Sequence, residues 1–285
     1  IETASPVASG ATACTARAKR RSIVVSSVVL GAGALLGPRQ LAALASAGIG
    51  RVEVSERPRV AVVSTGSELV APGEPLRRGQ IPESNSTLLA GLVAEAGGEV
   101  VLRRVVDDEG DGPADAVAEA QRFGADAVVF SGGVSAGAFE VVKQSLGDSM
   151  EFTKVGMQPG KPQGFGTTAD GMLLFRLPGN PVSAAVSFEV FVRPALLRMQ
   201  GRRSIHRPRM HLPAGTGWRT PSGRVQYLPA VIDRSDPARP VLRPATAGGS
   251  GSHLSVGLGI AEAYAIVPAE LEQVSAGDLI EVMEL

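Results

Sequence analysis

Three turns in this chain of 285 residues bring glycines, hydroxyls and backbone N–H groups to the ends of apolar runs. Phe130-Ser131-Gly132-Gly133-Val134-Ser135-Ala136-Gly137 follows the run Ala127–Phe130. Ser64-Thr65-Gly66 follows Val60–Val63, and Pro178-Gly179-Asn180-Pro181 follows Met172–Leu177. At the carboxyl end of a parallel strand such a turn suits an anion, most often a phosphate, because glycine lets it approach the backbone closely. Asn180 can cap a helix with Pro181 in its first position, and the positive end of the helix dipole adds to the attraction. Asp107-Asp108 ends a further strand. Such a pair can hold Mg2+ that bridges to a phosphate, since Mg2+ takes one or two carboxylates plus waters and substrate oxygens. A solvated loop capping the next helix is the alternative. Lys161, within Gln158-Pro159-Gly160-Lys161-Pro162, is a cation on a turn stiffened by two prolines, which suits an oxyanion; a solvated lysine is the ordinary reading. Lys143 can serve the same polyanion only if the sheet ends converge on it. Each turn alone is also a routine strand-to-helix connection. Four of them (64–68, 107–108, 131–137 and 178–183) beyond one sheet edge favour a ligand.

Several chemistries are excluded. The P-loop pattern and the Rossmann fingerprint are absent, so a phosphorylated ligand is held by neither common nucleotide motif. No histidine falls between 56 and 203, which removes a Ser/His/Asp or Cys/His set there. His206, His211 and His253 lack zinc spacing and read as surface or packing residues. Lys+Arg and Asp+Glu are both 28, and aromatics are 4%, so neither a net field nor stacking platforms point to nucleic acid. Cys14 is the only cysteine; a cytoplasmic setting fits, and intramolecular disulfides and thiolate clusters are excluded. Arg17, Lys19, Arg20 and Arg21 precede the apolar run Ile23–Gly37, which is too short and too rich in glycine and serine for a membrane span. It reads as a strand and turn with a basic flank.

The elements that must position these residues follow from the hydrophobic pattern. Pro38 starts a helix with Leu41, Leu44 and Ala45 on one face, ended by Gly48 and Gly50, and Val52–Val54 is a short strand. From Arg59 strands and helices alternate. Val60–Val63, Val100–Val106, Ala127–Phe130, Phe152–Val155 and Met172–Leu177 read as strands. Asn85 is placed to cap a helix with face Leu88, Leu89, Leu92 and Val93. Pro113 starts another with face Ala116, Ala120 and Phe123, and Phe139–Leu146 is a short third. Met157–Pro162 reads as a rigid turn. The last helix runs from Pro181 to about Gln200, and Pro194 should kink it. Such alternation implies a parallel sheet covered on both faces. From His206 the helical period disappears. Short apolar runs (Arg224–Leu228, Val241–Leu242, Ala263–Val267, Leu279–Met283) between turn-rich stretches read as a small all-β barrel or sandwich. The expected fold class is α/β: a three-layer α/β/α domain with a parallel-rich sheet at 56–203, a small all-β domain at 204–285, and a partial lead-in domain at 1–55.

Taken together the motifs resemble the molybdopterin molybdenumtransferase family (MoeA, and the E domain of gephyrin and its plant relatives). Ser64-Thr65-Gly66-Ser67-Glu68-Leu69 is similar to its S-T-G-D-E-L. Pro72-Gly73 through Gly79-Gln80-Ile81 and Ser84-Asn85 are similar to its P-G-x-P-L-x-x-G-Q-I-x-x-S/T-N. Asp107-Asp108, Ser131-Gly132-Gly133-Val134-Ser135, Pro159-Gly160-Lys161-Pro162 and Leu177-Pro178-Gly179-Asn180-Pro181-Val182-Ser183 follow in family order. Gly251-Ser252 through Pro268 is similar to the family's C-terminal segment, with Ala261-Glu262 standing at its A-N. The likeness runs from about Val28 to the end. It implies an elongated homodimer whose α/β domain binds adenylylated molybdopterin and inserts molybdate into the pterin dithiolene, releasing AMP with help from Mg2+. On that reading Lys161 and Asp108 are catalytic, and Glu68, Asp107 and Asp108 hold the metal. The pterin and its phosphate lie against Ser64, Thr65, Gly66, Asn85, Ser131, Gly132, Gly133, Ser135, Lys143, Pro159, Gly160, Pro178, Gly179, Asn180 and Ser183.

The sequence departs from the family pattern at four charges. Ser67 stands at the acid of S-T-G-D-E-L, and Gln158 at the first lysine of K-P-G-K-P. Ala138 follows S-G-G-V-S-x-G where an acid is usual, though Glu140 keeps the next one. Pro229 stands at an arginine of the β domain. Residues 1–27 match the family's D-N-S-A-M-D-G segment poorly. Charge-assisted contacts are the stronger kind, so these changes weaken oxyanion and metal binding. They motivate an alternative: a gephyrin-like scaffold that keeps the fold and binds a partner's peptide in the dimer groove.

Overall fold

The protein is described by a computed structural model over residues 2–3, 16–18, 27–107, 111–132, 142, 146–246 and 255–285. The lead-in residues pair locally. Ala16–Ala18 lies antiparallel to Ser27–Leu30, and Glu2–Thr3 parallel to Arg51–Val52. Helix α1 (Pro38–Ser46) buries Leu44 and stops before Gly48, whose positive φ suits glycine. The expected strand and turn in the apolar run are present at 27–33. Among the described residues no helix is long and apolar enough to cross a membrane.

Among the described residues the next sheet contains β1 (Arg59–Thr65), β2 (Glu99–Val106), β3 (Ala127–Gly132), β4 (Met150–Lys154), β6 (Pro162–Thr167) and β7 (Leu173–Leu177), in the order β4-β6-β7-β3-β1-β2. The pairs β7–β3, β3–β1 and β1–β2 are parallel; β4–β6 and β6–β7 are antiparallel. Val60–Val63 and Ala127–Phe130 are buried on both faces, which is why they read as unbroken apolar runs. One face packs α3 (Gly112–Arg122) through Ala116, Val117 and Ala120. The other packs α2 (Asn85–Glu95) through Leu89 and Val93, and the helix after β7 through Phe188, Val192 and Leu196. The result is a three-layer α/β/α arrangement.

Some expectations need correction. Phe123 is 48% exposed, and Val117 takes the core place instead. Residues 157–162 are more than a turn: β5 (Met157–Gln158) pairs parallel with Val225–Gln226, and β6 begins at Pro162. The final helix is not simply kinked. It runs as α4 (Pro181–Ser187), a π-helical stretch Phe188–Val192, and α5 (Arg193–Met199). The Arg193 N–H reaches back to the Phe188 carbonyl. The wider turn accommodates Pro194, which has no N–H and whose ring crowds the carbonyl four residues earlier. The helix expected over 139–146 lies largely outside the described residues, within which Val142 and Leu146 are helical and buried.

The C-terminal strands are β8 (Arg209–Pro213), β9 (Val225–Asp233), β10 (Val241–Pro244), β11 (Ala263–Val267) and β12 (Leu279–Glu284). They pair β10-β9-β11-β12-β8 antiparallel. An Ala214–Leu242 bridge and the Gly215 N–H on the Leu242 carbonyl join the two ends, so the sheet closes into a barrel. Along β9 burial alternates, sending Gln226, Leu228, Ala230 and Ile232 inward. Helix α6 (Ser255–Ile260) precedes β11. The barrel meets the α/β layers through Met157, Val186, Tyr264, Ile266 and Met283.

Candidate functional site

The strand register brings the nominated turns to one edge of the first sheet. Ser64 lies opposite Ser131, Thr65 opposite both Gly132 and Val106, and Leu177 opposite Ser131. Strand β6 runs the other way, with Gly164 opposite Arg176. Lys161 therefore enters the sheet where Pro178 leaves it. Along this edge the order is Asp107, Gly66, Gly132, Pro178, Lys161. Neighbouring strands are about 4.8 Å apart, so the acidic end and the lysine are separated by roughly 19 Å of backbone. An extended ligand can touch both; a single small ion cannot.

The hydroxyls that the turns bring to this edge do not stand in the open. Ser64, Thr65 and Ser131 are all at most 3% exposed. Ser64 donates to Glu83 Oε1 at 2.8 Å. Glu83, itself buried, also accepts from the Ser86 N–H at 2.8 Å and from the Ser86 hydroxyl at 2.5 Å. Arg103 donates to Ser86 in turn, at 2.8 Å. Asn85 is not the helix cap. It is the first residue of α2, and Glu83 supplies the capping oxygen. The Asn85 carboxamide instead ties two turns together, donating to Ser131 Oγ at 2.8 Å and to the Gly179 carbonyl at 2.6 Å. The Gly179 carbonyl needs a donor, so the amide cannot be reversed. Among the described residues Asn85 Oδ1 is a buried acceptor without a partner, and such an atom calls for an N–H or O–H donor.

Gly132 is required where it stands. A Cβ there would lie 2.0 Å from the Thr65 carbonyl oxygen, and its φ is +142°. Its own carbonyl accepts from Arg176 Nη2 at 2.8 Å. Arg176 is 2% exposed. Burial pushes its guanidinium down to about 10, which leaves it a cation beneath the turn at neutral pH. Asn180 caps α4 as its sequence suggests, Oδ1 accepting from Val182 N at 3.1 Å and Ser183 N at 3.5 Å. Those N–H groups are therefore already engaged, and Pro181 has none. What the helix offers an anion is its dipole rather than free donors. Ser183 is buried behind the cap.

At the acidic end, Asp107 is exposed and Glu68 is half-buried, its carboxylate folded over Gly66. Among the described residues no three His, Cys, Asp or Glu side chains converge on a point. At the basic end Lys161 is exposed on a turn whose Pro159 and Gly160 are buried. Asp108, Gly133, Ser135 and Lys143 lie outside the described residues, as do Ala138 and Glu140.

Comparison with known proteins fits this geometry. A model described as a probable molybdopterin binding domain matches residues 61–198, and one described as the MoeA C-terminal region (domain IV) matches 211–285. Molybdopterin molybdenumtransferase 2 of Mycobacterium tuberculosis is 38% identical over 277 residues, covering 94% of this chain and 67% of that protein. The chain belongs to the molybdopterin molybdenumtransferase (MoeA) family. Molybdopterin molybdenumtransferase 1 of the same organism is 35% identical over 260 residues, covering 90% of this chain and 61% of its own length. The solved MoeA structure from Pyrococcus horikoshii superposes with a TM-score of 0.76 at 30% identity, covering 91% of this chain and 62% of that one. The chain thus spans about two thirds of the length of the relatives it matches.

Three buried polar residues beside these turns are not singled out by the sequence: Glu83, Arg176 and Gln163. Each sits one residue from a motif position or within an apolar run. Residue type alone gives them no weight, and burial is what identifies them. Of the departures from the family pattern, Ser67 is exposed beside Gly66, Gln158 is paired into the barrel edge, and Pro229 is in β9 opposite Tyr264.

Proposed function

We propose that the full-length protein is a molybdopterin molybdenumtransferase acting in molybdenum cofactor biosynthesis. It holds adenylylated molybdopterin along the carboxyl edge of the α/β sheet and joins molybdate to the pterin dithiolene, with release of AMP. The observation that carries this is the register that lines up Asp107, Gly66, Gly132, Pro178 and Lys161 along one sheet edge. The turns at 64–66 and 178–180, with Ser131 and Gly132 between them, form the floor for the ligand, and Gly133 and Ser135 are assigned to it. Asn85, Ser64 and Ser131 hold those turns together, and the open Asn85 Oδ1 suits an N–H of the pterin ring. Lys161 faces the oxyanion, where charge-assisted contacts are strongest; Lys143 is assigned to the same polyanion.

The carboxylates of Glu68, Asp107 and Asp108 fit Mg2+, which needs one or two protein oxygens besides water and substrate. When bound it would offset phosphate charge, and Asp108 is assigned a catalytic role beside it. The same proposal places the protein in the cytoplasm as a homodimer, with parts at 1–55, 56–203 and 204–285. Peptide binding at the dimer groove belongs to the scaffold alternative, which rests on the charges missing at Ser67, Gln158, Ala138 and Pro229.

The test is genetic. Cells lacking this protein should lose molybdoenzyme activity, regain it with the intact gene, and fail to regain it with Lys161→Ala. Undiminished molybdoenzyme activity in the deleted strain would overturn the proposal.

A further inference from the structure

The turn that carries Lys161 has a support that none of its motif residues supplies. Gln163 is 7% exposed and Ser187 fully buried. Gln163 Nε2 donates to the Gly160 carbonyl at 2.6 Å and to Ser187 Oγ at 2.7 Å. Both N–H groups of the carboxamide are then used, and its orientation is set because the Gly160 carbonyl accepts only a donor. The turn is pressed onto the helix at this point. A Cβ on Gly160 would lie 3.0 Å from Ser187 Oγ and 3.1 Å from Met157 Cε, and the φ of Gly160 is +104°. The remaining ties are backbone ones. The Lys161 carbonyl accepts from Val155 N at 2.8 Å, and Met157–Gln158 is laddered to Val225–Gln226 of the barrel.

We propose that Gln163 and Ser187 are positioning residues for Lys161: the amide bridge Gly160–Gln163–Ser187 holds the lysine turn against α4. The inference rests on the reading of Lys161 as the cation that meets the oxyanion. Ser187 ends the helix segment that Asn180 begins, about 10 Å along its axis. The bridge therefore joins the lysine turn to the same rigid element that forms the 178–180 turn. An ammonium on a flexible stem is well placed only when its backbone is, and a displacement of about 1 Å at a reacting centre can cost on the order of 100-fold. Gln163 and Ser187 are both buried, with the Gln163 N–H groups spent on the bridge, so both act through Lys161.

The experiment uses the full-length protein and compares Gln163→Glu, Gln163→Met and Ser187→Ala. Glutamate keeps the shape but has no N–H, and it sets a carboxylate oxygen against the Gly160 carbonyl. Two quantities are read: the molybdate concentration that half-saturates AMP release, and the affinity for adenylylated molybdopterin in the absence of molybdate. The expected result for Gln163→Glu is a rise of about 10-fold or more in the first with the second unchanged within about twofold. Ser187→Ala should shift the first less, and combining it with Gln163→Met should add little to Gln163→Met alone, because both remove one bridge. An unchanged molybdate requirement, or equal losses in both quantities, would overturn the proposal. Amide exchange over residues 155–161 gives a readout independent of turnover. It should quicken in all three variants while the β9 and β11 amides stay protected. Unaltered exchange would overturn the bridge even if the wild type released no AMP, an outcome that by itself counts against the transferase reading alone.

Discussion

The Ser64 hydroxyl donates to Glu83 Oε1 at 2.8 Å, and both side chains are buried. This bond joins the end of β1 to the start of α2, and the same carboxylate holds the Ser86 N–H and hydroxyl. Glu83→Ala leaves these donors buried without an acceptor. It should lower stability by about 2–3 kcal/mol, measured by urea unfolding. A loss below about 0.5 kcal/mol, the range of ordinary surface changes, would contradict the network.

Gly132→Ala should be poorly tolerated. The added carbon would fall 2.0 Å from the Thr65 carbonyl oxygen, inside a sheet with no room to yield. The expected cost is at least about 3 kcal/mol, seen as reduced soluble yield and a lower thermal midpoint. A variant with wild-type stability would show that the β1–β3 edge is looser than described.

Arg207 forks onto the buried Glu189, Nε to Oε2 at 3.0 Å and Nη2 to Oε1 at 3.1 Å, and reaches Glu95 as well. Bonding to Glu189 raises its already high pKa further. The pair ties the segment entering the barrel to the π-helical stretch of the long helix. Arg207→Met removes both hydrogen bonds from a buried carboxylate, leaving it only the Arg193 guanidinium at 3.7 Å, and should cost about 3 kcal/mol, while Arg207→Met with Glu189→Met should cost less than the single change. Chemical denaturation of the set reads this directly. A double variant weaker than the single would contradict it.

Acid sensitivity should have an identifiable contributor in the barrel. The Ser235 N–H, the Ser235 hydroxyl and the Arg243 guanidinium hold the Asp233 carboxyl down at about 2. Its folded value lies below the ordinary value near 3.9. Its stabilising contribution is therefore complete above about pH 4 and is lost as pH falls from there toward about 2. Asp233→Asn should flatten the fall in thermal midpoint across that window and leave the slope near neutrality unchanged. An identical acid limb in wild type and variant would contradict the assignment.

Much of this architecture is legible in the sequence because its signals are local. Apolar runs at 60–63 and 127–130 mark strands buried on both faces, Asn180-Pro181 marks a helix start, and Gly97, Gly124 and Gly201 mark helix ends. Strand β6 is not legible. Gln163, Gly164 and Gly166 interrupt its apolar pattern, yet both glycines are demanded by neighbours. A Cβ on Gly166 would meet the Ser149 carbonyl at 1.9 Å, and one on Gly164 would meet Arg176 Cβ at 2.9 Å. Glu83, Gln163 and Arg176 are hidden for a related reason. Each has a partner far off in the sequence, 19, 24 and 44 residues away, and a polar side chain reads as solvated until the fold buries it. Ser64, Ser131 and Asn85 stand out in the sequence as turn and helix-start residues. That their polar groups face inward, holding the turns together, depends on contacts that only the register creates.

The most direct measurement of the central claim is AMP release. The full-length protein is loaded with adenylylated molybdopterin in the presence of Mg2+, molybdate is added, and free AMP is followed with time. The proposed function predicts molybdate-dependent release approaching one equivalent of AMP per bound pterin, and little release from Lys161→Ala. Pterin that binds but stays adenylylated after molybdate is added would contradict it.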